Sequence, residues 1–369
     1  MTRLTPRTIE DVQEAVRAHG GAAAPALRPV GAGTKSALAP AVSEHALDMT
    51  GLTGLLEYQP QECTFTALAG TRVDTIAARV AEHGHYLPFD PPFGPQGATI
   101  GGTVATALSG PARYRYGGVR DFLLGVRFVD GEGRVVRGGG RVVKNAAGFY
   151  LHHLLLGSLG RLGVLTEVTC KVFPRPAAVT TLRAQFPTFD ALLGRLTHLR
   201  RTAFEIEAIE IAPPGELVVR LGGTAQALAA RADALTAYLR EEASTVERLG
   251  DGEDAAVWRD ARELEWASLP SPSSALVKVA TTPGALARLE PALSAAGVVR
   301  RYGMGGEIAW LVWDPPLSEL DRRLAELRLS AMVVAGAATG GPWLGVRPDA
   351  AFLSRVRRTF DPRGVFGDP

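Results

Sequence analysis

Cysteine is nearly absent. The 369 residues include two, Cys63 and Cys170, too few for a disulfide framework and too few for the four thiolates that an iron–sulfur cluster usually takes from a chain. Redox chemistry in this chain therefore needs another cofactor. An excess of one charge is also lacking: 40 Lys and Arg stand against 38 Asp and Glu, which gives no reason to expect nucleic acid as a partner. Lysine is scarce, at 35, 144, 171 and 278 only. With the abundant Ala and Gly, this reads as codon bias. No run of eighteen apolar residues exists. The best stretch, 151–173, is broken by His152, His153, Arg161, Glu167 and Lys171, so no membrane span is expected. The first twenty residues carry Arg3, Arg7, Glu10, Asp11 and Glu14 and no apolar core, unlike a signal peptide. The expected compartment is the cytoplasm, with any membrane attachment made through partners.

What is present reads as a soluble globular chain, 46% hydrophobic and 21% charged. Its length suggests two domains. Helical spacing is expected over 6–19 and 73–83, with short strands at 26–30, 46–48, 55–58 and 63–67. From Leu87 to Gly118 the chain is rich in Gly and Pro, which marks a functional loop system rather than core. Asp130-Gly131-Glu132-Gly133 between two apolar runs predicts a β-hairpin. A short helix is expected over 150–156 and a strand over 164–173. Pro174-Arg175-Pro176 is the expected domain boundary. Beyond it, strands and helices alternate in two similar halves, predicting an α+β layer with an antiparallel sheet. The stretch 244–274 reads as an irregular link, and Trp258, Trp266, Trp310 and Trp313 as core. A last helix is expected over 349–360.

Three glycine-rich segments can carry chemistry. Gly31-Ala32-Gly33-Thr34-Lys35-Ser36 follows a strand. Small residues let backbone N–H groups converge on phosphate oxygens, Thr34 and Ser36 add hydroxyls, and Lys35 adds charge. By itself this short motif is equally a plain turn, and it lacks the third glycine of a dinucleotide fingerprint. The second segment, 95–105, offers Thr99, Gly101 and Gly102 ahead of a helix expected over 103–108. Asp90-Pro91-Pro92 stiffens its approach. Arg113, Arg115 and Arg120 follow, interleaved with Tyr114 and Tyr116; the run is too short for a nucleic-acid patch and reads as structural or cofactor-facing. The third segment runs from Gly138 through Lys144-Asn145 to Gly157, Gly160 and Gly163. It keeps the backbone thin where a flat ring can lie, with Val164 and Leu165 able to pack on that ring.

Taken in order, residues 31–36, 87–105, 120–125, 139–149 and 157–172 resemble the FAD-binding domain of the p-cresol methylhydroxylase/vanillyl-alcohol oxidase superfamily. Within it, the stretch 120–176 is similar to the E-subunit family of bacterial glycolate oxidases (glycolate dehydrogenases). The likeness returns at Phe360-Asp361-Pro362-Arg363-Gly364-Val365-Phe366. It implies an α+β fold: a two-subdomain FAD-binding domain over 1–176 (subdomains about 1–55 and 56–176), a ferredoxin-like antiparallel cap over 177–335, and a returning segment over 336–369. It places the FAD pyrophosphate against Gly31, Ala32, Gly33, Thr34, Lys35 and Ser36, with Thr99, Gly101 and Gly102 opposite. Asp90 and Pro91 run past the cofactor, and Gly163 and Val164 lie near the flavin or adenine. The first loop has no histidine, so FAD is expected to be held non-covalently. Phe149-Tyr150 stands where relatives commonly have Tyr-Asp, and the tail Phe366-Gly367-Asp368-Pro369 departs from the family's usual ending.

The resemblance also bears on substrate. Related 2-hydroxy-acid dehydrogenases bind a metal through cap histidines, but the seven histidines here (19, 45, 83, 85, 152, 153 and 198) stop before most of the cap. His152 and His153 are adjacent on a short helix and point about 100° apart, which suits one metal poorly. His83 and His85 flank a helix end and read as capping residues. No metal site and no catalytic residue is assigned. The implied function is an FAD-binding subunit of a glycolate-type 2-hydroxy-acid dehydrogenase complex, working with a sister FAD subunit and an iron–sulfur subunit. Two alternatives stay open. One is a self-sufficient FAD oxidoreductase whose substrate carboxylate meets Arg113, Arg120, Arg300 or Arg301. The other is a partner-binding scaffold with a degenerate FAD site.

Overall fold

A computed structural model describes residues 2–20, 25–38, 44–140, 150–314, 316–338, 341–347 and 349–367. The run Lys144–Phe149 lies outside the described residues. The chain divides into two compact units. The first comprises residues 1–109, 117–175 and 348–369, and the second 110–116 and 176–347.

The first unit begins with β1 (Arg3–Leu4), α1 (Ile9–Ala18), β2 (Leu27–Val30) and β3 (His45–Asp48). α1 starts where Thr8 and Asp11 cap each other: the Thr8 hydroxyl accepts the Asp11 N–H, and the Asp11 carboxylate accepts the Thr8 N–H. Val12 and Val16, one turn apart, are its buried stripe. The three strands pair in parallel in the order β1-β3-β2. They share a core with the tail of the chain, where Val365 and Phe366 pack with Val12, Val16, Leu27 and Leu47. Asp361 fixes that tail. Its buried carboxylate accepts the N–H groups of Val365 and Phe366, each at 2.8 Å.

Most of the rest of this unit is built on a five-stranded antiparallel sheet. Its strands are β4 (Leu55–Gln59), β5 (Thr64–Leu68), β6 (Leu123–Val129), β7 (Val135–Gly139) and β8 (Val164–Lys171), in the order β4-β5-β8-β6-β7. Two helices serve it, α2 (Val73–Ala81) and α3 (Ile100–Thr106). β8 lies at the centre and is buried on both faces. Its one acid, Glu167, is neutralised by Arg127 at 2.6 Å, and Thr169 bonds Thr66 at 2.9 Å. The helix expected over 150–156 shrinks to one turn, Leu151–Leu154.

The second unit is one antiparallel sheet of nine strands with a repeated plan. The first half runs β9 (Ala178–Gln185), α4 (Phe189–Leu199), β10 (Ile206–Ala212), β11 (Glu216–Gly223), α5 (Ala225–Arg240), β12 (Thr245–Arg248). After α6 (Asp251–Glu263) the order recurs: β13 (Ala275–Ala280), α7 (Pro283–Ala295), β14 (Val299–Gly303), β15 (Ile308–Trp313), α8 (Leu317–Glu326), β16 (Ser330–Gly336). A short β17 (Trp343–Gly345) closes the edge. The spatial order is β12-β9-β11-β10-β14-β15-β13-β16-β17. Each half is thus a ferredoxin-like β-α-β-β-α-β unit. The halves join through their second strands, Glu210 opposite Gly303 and Ile211 opposite Tyr302.

One expectation fails here. The link 244–274 is not irregular throughout, since it holds β12 and α6. β12 has four residues and a weak pattern. α6 is capped by glycine, Gly250 donating its N–H to Glu253. Its buried face is Trp258, Ala261 and Glu263, the acid paired with Arg262 at 2.8 Å, so apolar spacing hides it. No described helix is long and apolar enough to cross a membrane. The helix Ala350–Phe360 (α9) precedes the returning tail.

Candidate functional site

The site grows from the end of β2. After Val30 the chain turns through Gly31-Ala32-Gly33-Thr34-Lys35, and these residues form one wall of a cleft in the first unit of about 110 Å³. The opposite wall is Ala69, Thr99, Gly101, Gly102 and Ala105, with Gly160, Gly163 and Leu165 nearby.

Thr99 organises this wall. It is the N-cap of α3, its hydroxyl accepting the Gly102 N–H at 3.2 Å. The helix therefore begins at Ile100, three residues before the expected start, and the glycine pair sits in its first turn. Two glycines are required by space. A Cβ on Gly31 would lie 2.4 Å from Thr99 Oγ1, and a Cβ on Gly101 would lie 2.8 Å from both the Cβ and the carbonyl oxygen of Ala69. Side chains at either position would fill the cleft or push its walls apart.

Lys35 supplies the charge. It is buried, its Nζ donates to Thr34 Oγ1 at 3.2 Å, and it lies 5.4 Å from the centre of the Phe93 ring. No acidic partner meets it among the described residues. Burial pushes its pKa down to about 8. A buried cation without a counter-charge, facing a backbone cradle kept open by glycine, is the donor set that a pyrophosphate needs. The chemistry of the cleft thus fits the FAD diphosphate.

Of the expected cofactor residues, the cleft gathers Gly31, Ala32, Gly33, Thr34, Lys35, Thr99, Gly101, Gly102 and Gly163. Ser36 opens a short 3₁₀ turn beside it. Asp90, at positive φ, and the buried Pro91 do not line it. Val164 packs into the core with Val12 and Leu47, and its neighbour Leu165 lines the cleft instead. Strand alternation explains this: successive side chains on β8 point to opposite faces.

The histidines belong to other networks. His85 is buried, with Nδ1 2.6 Å from the Tyr58 hydroxyl and Nε2 3.6 Å from Cys63 Sγ. His152 is buried and His153 half-buried, and burial holds the His152 pKa down to about 4. Among the described residues no three His, Cys, Asp or Glu side chains gather as a metal site. Two of the four arginines weighed as carboxylate partners are already paired, Arg300 with Glu290 and Arg301 with Asp260. Arg120 is exposed. Arg113 lines a separate cavity in the second unit. Trp258, Trp310 and Trp313 are buried.

Residues 3–139 match the family described as an FAD binding domain. The chain is 43% identical to glycolate oxidase subunit GlcE of Escherichia coli over 162 residues, 44% of this chain and 46% of that protein. It is 35% identical to a D-lactate dehydrogenase of Archaeoglobus fulgidus over 37% of this chain and 30% of that protein. It is 30% identical to a D-2-hydroxyglutarate dehydrogenase of Xanthomonas citri over 56% of this chain and 43% of that protein. The matched stretches thus span less than half the length of these relatives. Among solved structures, an alkyldihydroxyacetonephosphate synthase superposes with a TM-score of 0.70 at 16% identity, covering 98% of this chain and 76% of that one. That likeness speaks for the fold alone. The expected FAD-binding domain, its fold and FAD as cofactor stand on these matches.

Proposed function

We propose that this chain, which carries an FAD-binding domain of the p-cresol methylhydroxylase/vanillyl-alcohol oxidase superfamily, is the FAD-binding subunit of a 2-hydroxy-acid dehydrogenase complex of the glycolate oxidase type. The observation that carries the reading is the cleft beside Lys35 and Thr99, joined to the 43% identity with a glycolate oxidase subunit. Residues 31–35, 99, 101, 102 and 163 hold FAD, with Ser36 at the edge of the loop. Gly31 and Gly101 let the backbone approach the diphosphate, Lys35 neutralises it, and Thr99 fixes the wall that faces it. Leu165 excludes water along one side. No histidine lies in the first loop, so the cofactor is held without a covalent bond. When bound there, FAD would supply two-electron redox chemistry to the complex.

The chain's own cysteines do not supply an iron–sulfur relay for its electrons. Cys170 is fully buried and its thiol pKa is pushed up by burial; Cys63 is half-buried beside His85. Two such cysteines cannot hold a cluster. An iron–sulfur partner and a sister FAD subunit are the partners that the resemblance to the glycolate oxidase family implies, in the cytoplasm or attached to a membrane through them.

The test is co-expression with a neighbouring-gene FAD subunit and a cysteine-rich subunit, followed by affinity purification. All three should elute together, and the complex should bleach its flavin with glycolate or D-lactate. The isolated chain should not bleach at a comparable rate. If it does, the helper-subunit reading falls and the self-sufficient oxidoreductase takes its place.

A further inference from the structure

The second unit holds a cavity of about 400 Å³ whose charge is unbalanced. Three cations line it, Arg113, Arg200 and Lys278, against one acid, Glu307. Arg200 and Glu307 are paired with each other. Lys278 and Arg113 have no acidic partner among the described residues. Two cationic side chains therefore share a pocket with nothing to neutralise them.

The fold puts them there. Lys278 is the one charged residue of β13. It lies between Trp310 of β15 and Met332 of β16 in register, and shares its strand face with Leu276 and Ala280. Arg113 comes from 110–116, a segment that belongs to the second unit although its neighbours in sequence belong to the first. Its helical turn, Arg113–Tyr116, is tied down by the Tyr116 hydroxyl donating to Glu207 at 2.7 Å and by Arg115 pairing with Glu205 at 3.2 Å. Met304 and Ile308 give the cavity an apolar side, and Thr281 and Thr282 lie on its rim.

We infer that this cavity binds the carboxylate of a small hydroxy or oxo acid through Arg113 and Lys278. The choice of carboxylate over phosphate rests on the proposed function. The cation pair itself does not depend on it. Arg113 offers a planar fork that matches a carboxylate, and Lys278 a point charge on the second oxygen. Keeping both cations unpaired in a recessed site is costly, and an anion relieves the cost. Loss of hydration, and then the charge of Arg113, push the Lys278 pKa down to about 8. A bound anion holds the ammonium protonated. Affinity is therefore highest below pH 8 and falls as pH rises past it. The other charged groups lining the cavity are Arg113, Arg200 and Glu307, the last paired with Arg200, and the Tyr114 phenol, raised by burial, interacts with that pair.

The test is calorimetric titration of the purified holoprotein with glycolate, D-lactate, oxalate and inorganic phosphate at constant ionic strength. Lys278→Met and Arg113→Gln are run alongside, with circular dichroism to check folding. At least one carboxylate should saturate a single site, about 10- to 100-fold more weakly in each variant. Wild-type affinity should drop between pH 7 and 9.5, and Lys278→Met should lose that dependence, which a merely misfolded variant would not reproduce. Absence of saturable carboxylate binding, equal affinity in all three proteins, or tighter binding of phosphate than of any carboxylate overturns the inference. Flavin absorbance of the same samples reports the FAD reading separately. A yellow protein that binds no carboxylate sinks only the cavity, and a colourless one that binds it sinks only the flavoprotein.

Discussion

Adding one methyl group at Gly31 should damage the FAD cleft through Thr99. The new Cβ would sit 2.4 Å from Thr99 Oγ1 and 3.3 Å from its Cγ2. Ordinary contact is about 3.5 Å or more, so the threonine must turn away. Its hydroxyl then abandons the Gly102 N–H that it accepts at 3.2 Å, and the lost N-cap costs about 1 kcal/mol. A displaced rotamer adds about 1 kcal/mol. Together these should lower the melting temperature of Gly31→Ala by about 4–8 °C. FAD should suffer more, because the methyl and the displaced threonine both enter the wall proposed to face the diphosphate. The dissociation constant should rise at least about tenfold. The assay is a titration of FAD into apoprotein, followed by flavin fluorescence, with melting curves on the same samples. The double variant Gly31→Ala/Thr99→Ala removes the clash and leaves only the lost cap. The two substitutions should therefore couple by about 2 kcal/mol. A Gly31→Ala protein with wild-type melting temperature and wild-type FAD affinity would refute this geometry.

Other outcomes follow from the same structure. Lys35→Met should weaken FAD by about tenfold or more, yet stabilise the apoprotein below pH 8. The folded-state pKa near 8 lies below the ordinary 10.5, so the folded apoprotein binds fewer protons than the unfolded chain between those values. The buried ammonium thus costs up to about 3 kcal/mol below pH 8, and the cost fades towards pH 10.5. Melting curves of apoprotein at pH 7 and pH 10 check the sign. Asp361→Ala leaves two buried N–H groups unpaired and should cost about 3 kcal/mol, read by denaturant titration and by faster proteolysis of the C-terminal tail. Gly194→Ala in α4 meets nothing within 4 Å and should stabilise by about 0.4–1 kcal/mol, raising the melting temperature without changing FAD binding.

Much of the candidate cleft was legible in the sequence because glycine loops and a helix-capping threonine are local signals. Gly31 to Lys35, Thr99, Gly101 and Gly102 lie together as the two loops suggested. What escaped depends on contacts distant in sequence. Val164 and Leu165 are neighbours whose faces only the sheet can tell apart. Segment 110–116 reads as part of the glycine-rich loop, but Tyr116 and Arg115 bond Glu207 and Glu205, about ninety positions on. Lys278 stands alone in an apolar strand and gains meaning only when Arg113 and Arg200 share its cavity. α6 went unread because its buried face includes Glu263, an acid whose arginine neighbour makes burial tolerable. The two ferredoxin-like halves were legible as a recurring order of elements, whereas their junction through Glu210 and Gly303 was not.

The most direct measurement is the flavin content of the purified chain. The account predicts a yellow protein with about one FAD per chain, released intact into the supernatant by acid, leaving a precipitate without flavin fluorescence. Flavin that stays with the precipitate would contradict the non-covalent cleft. Colourless protein that takes up no added FAD would contradict the account at its centre.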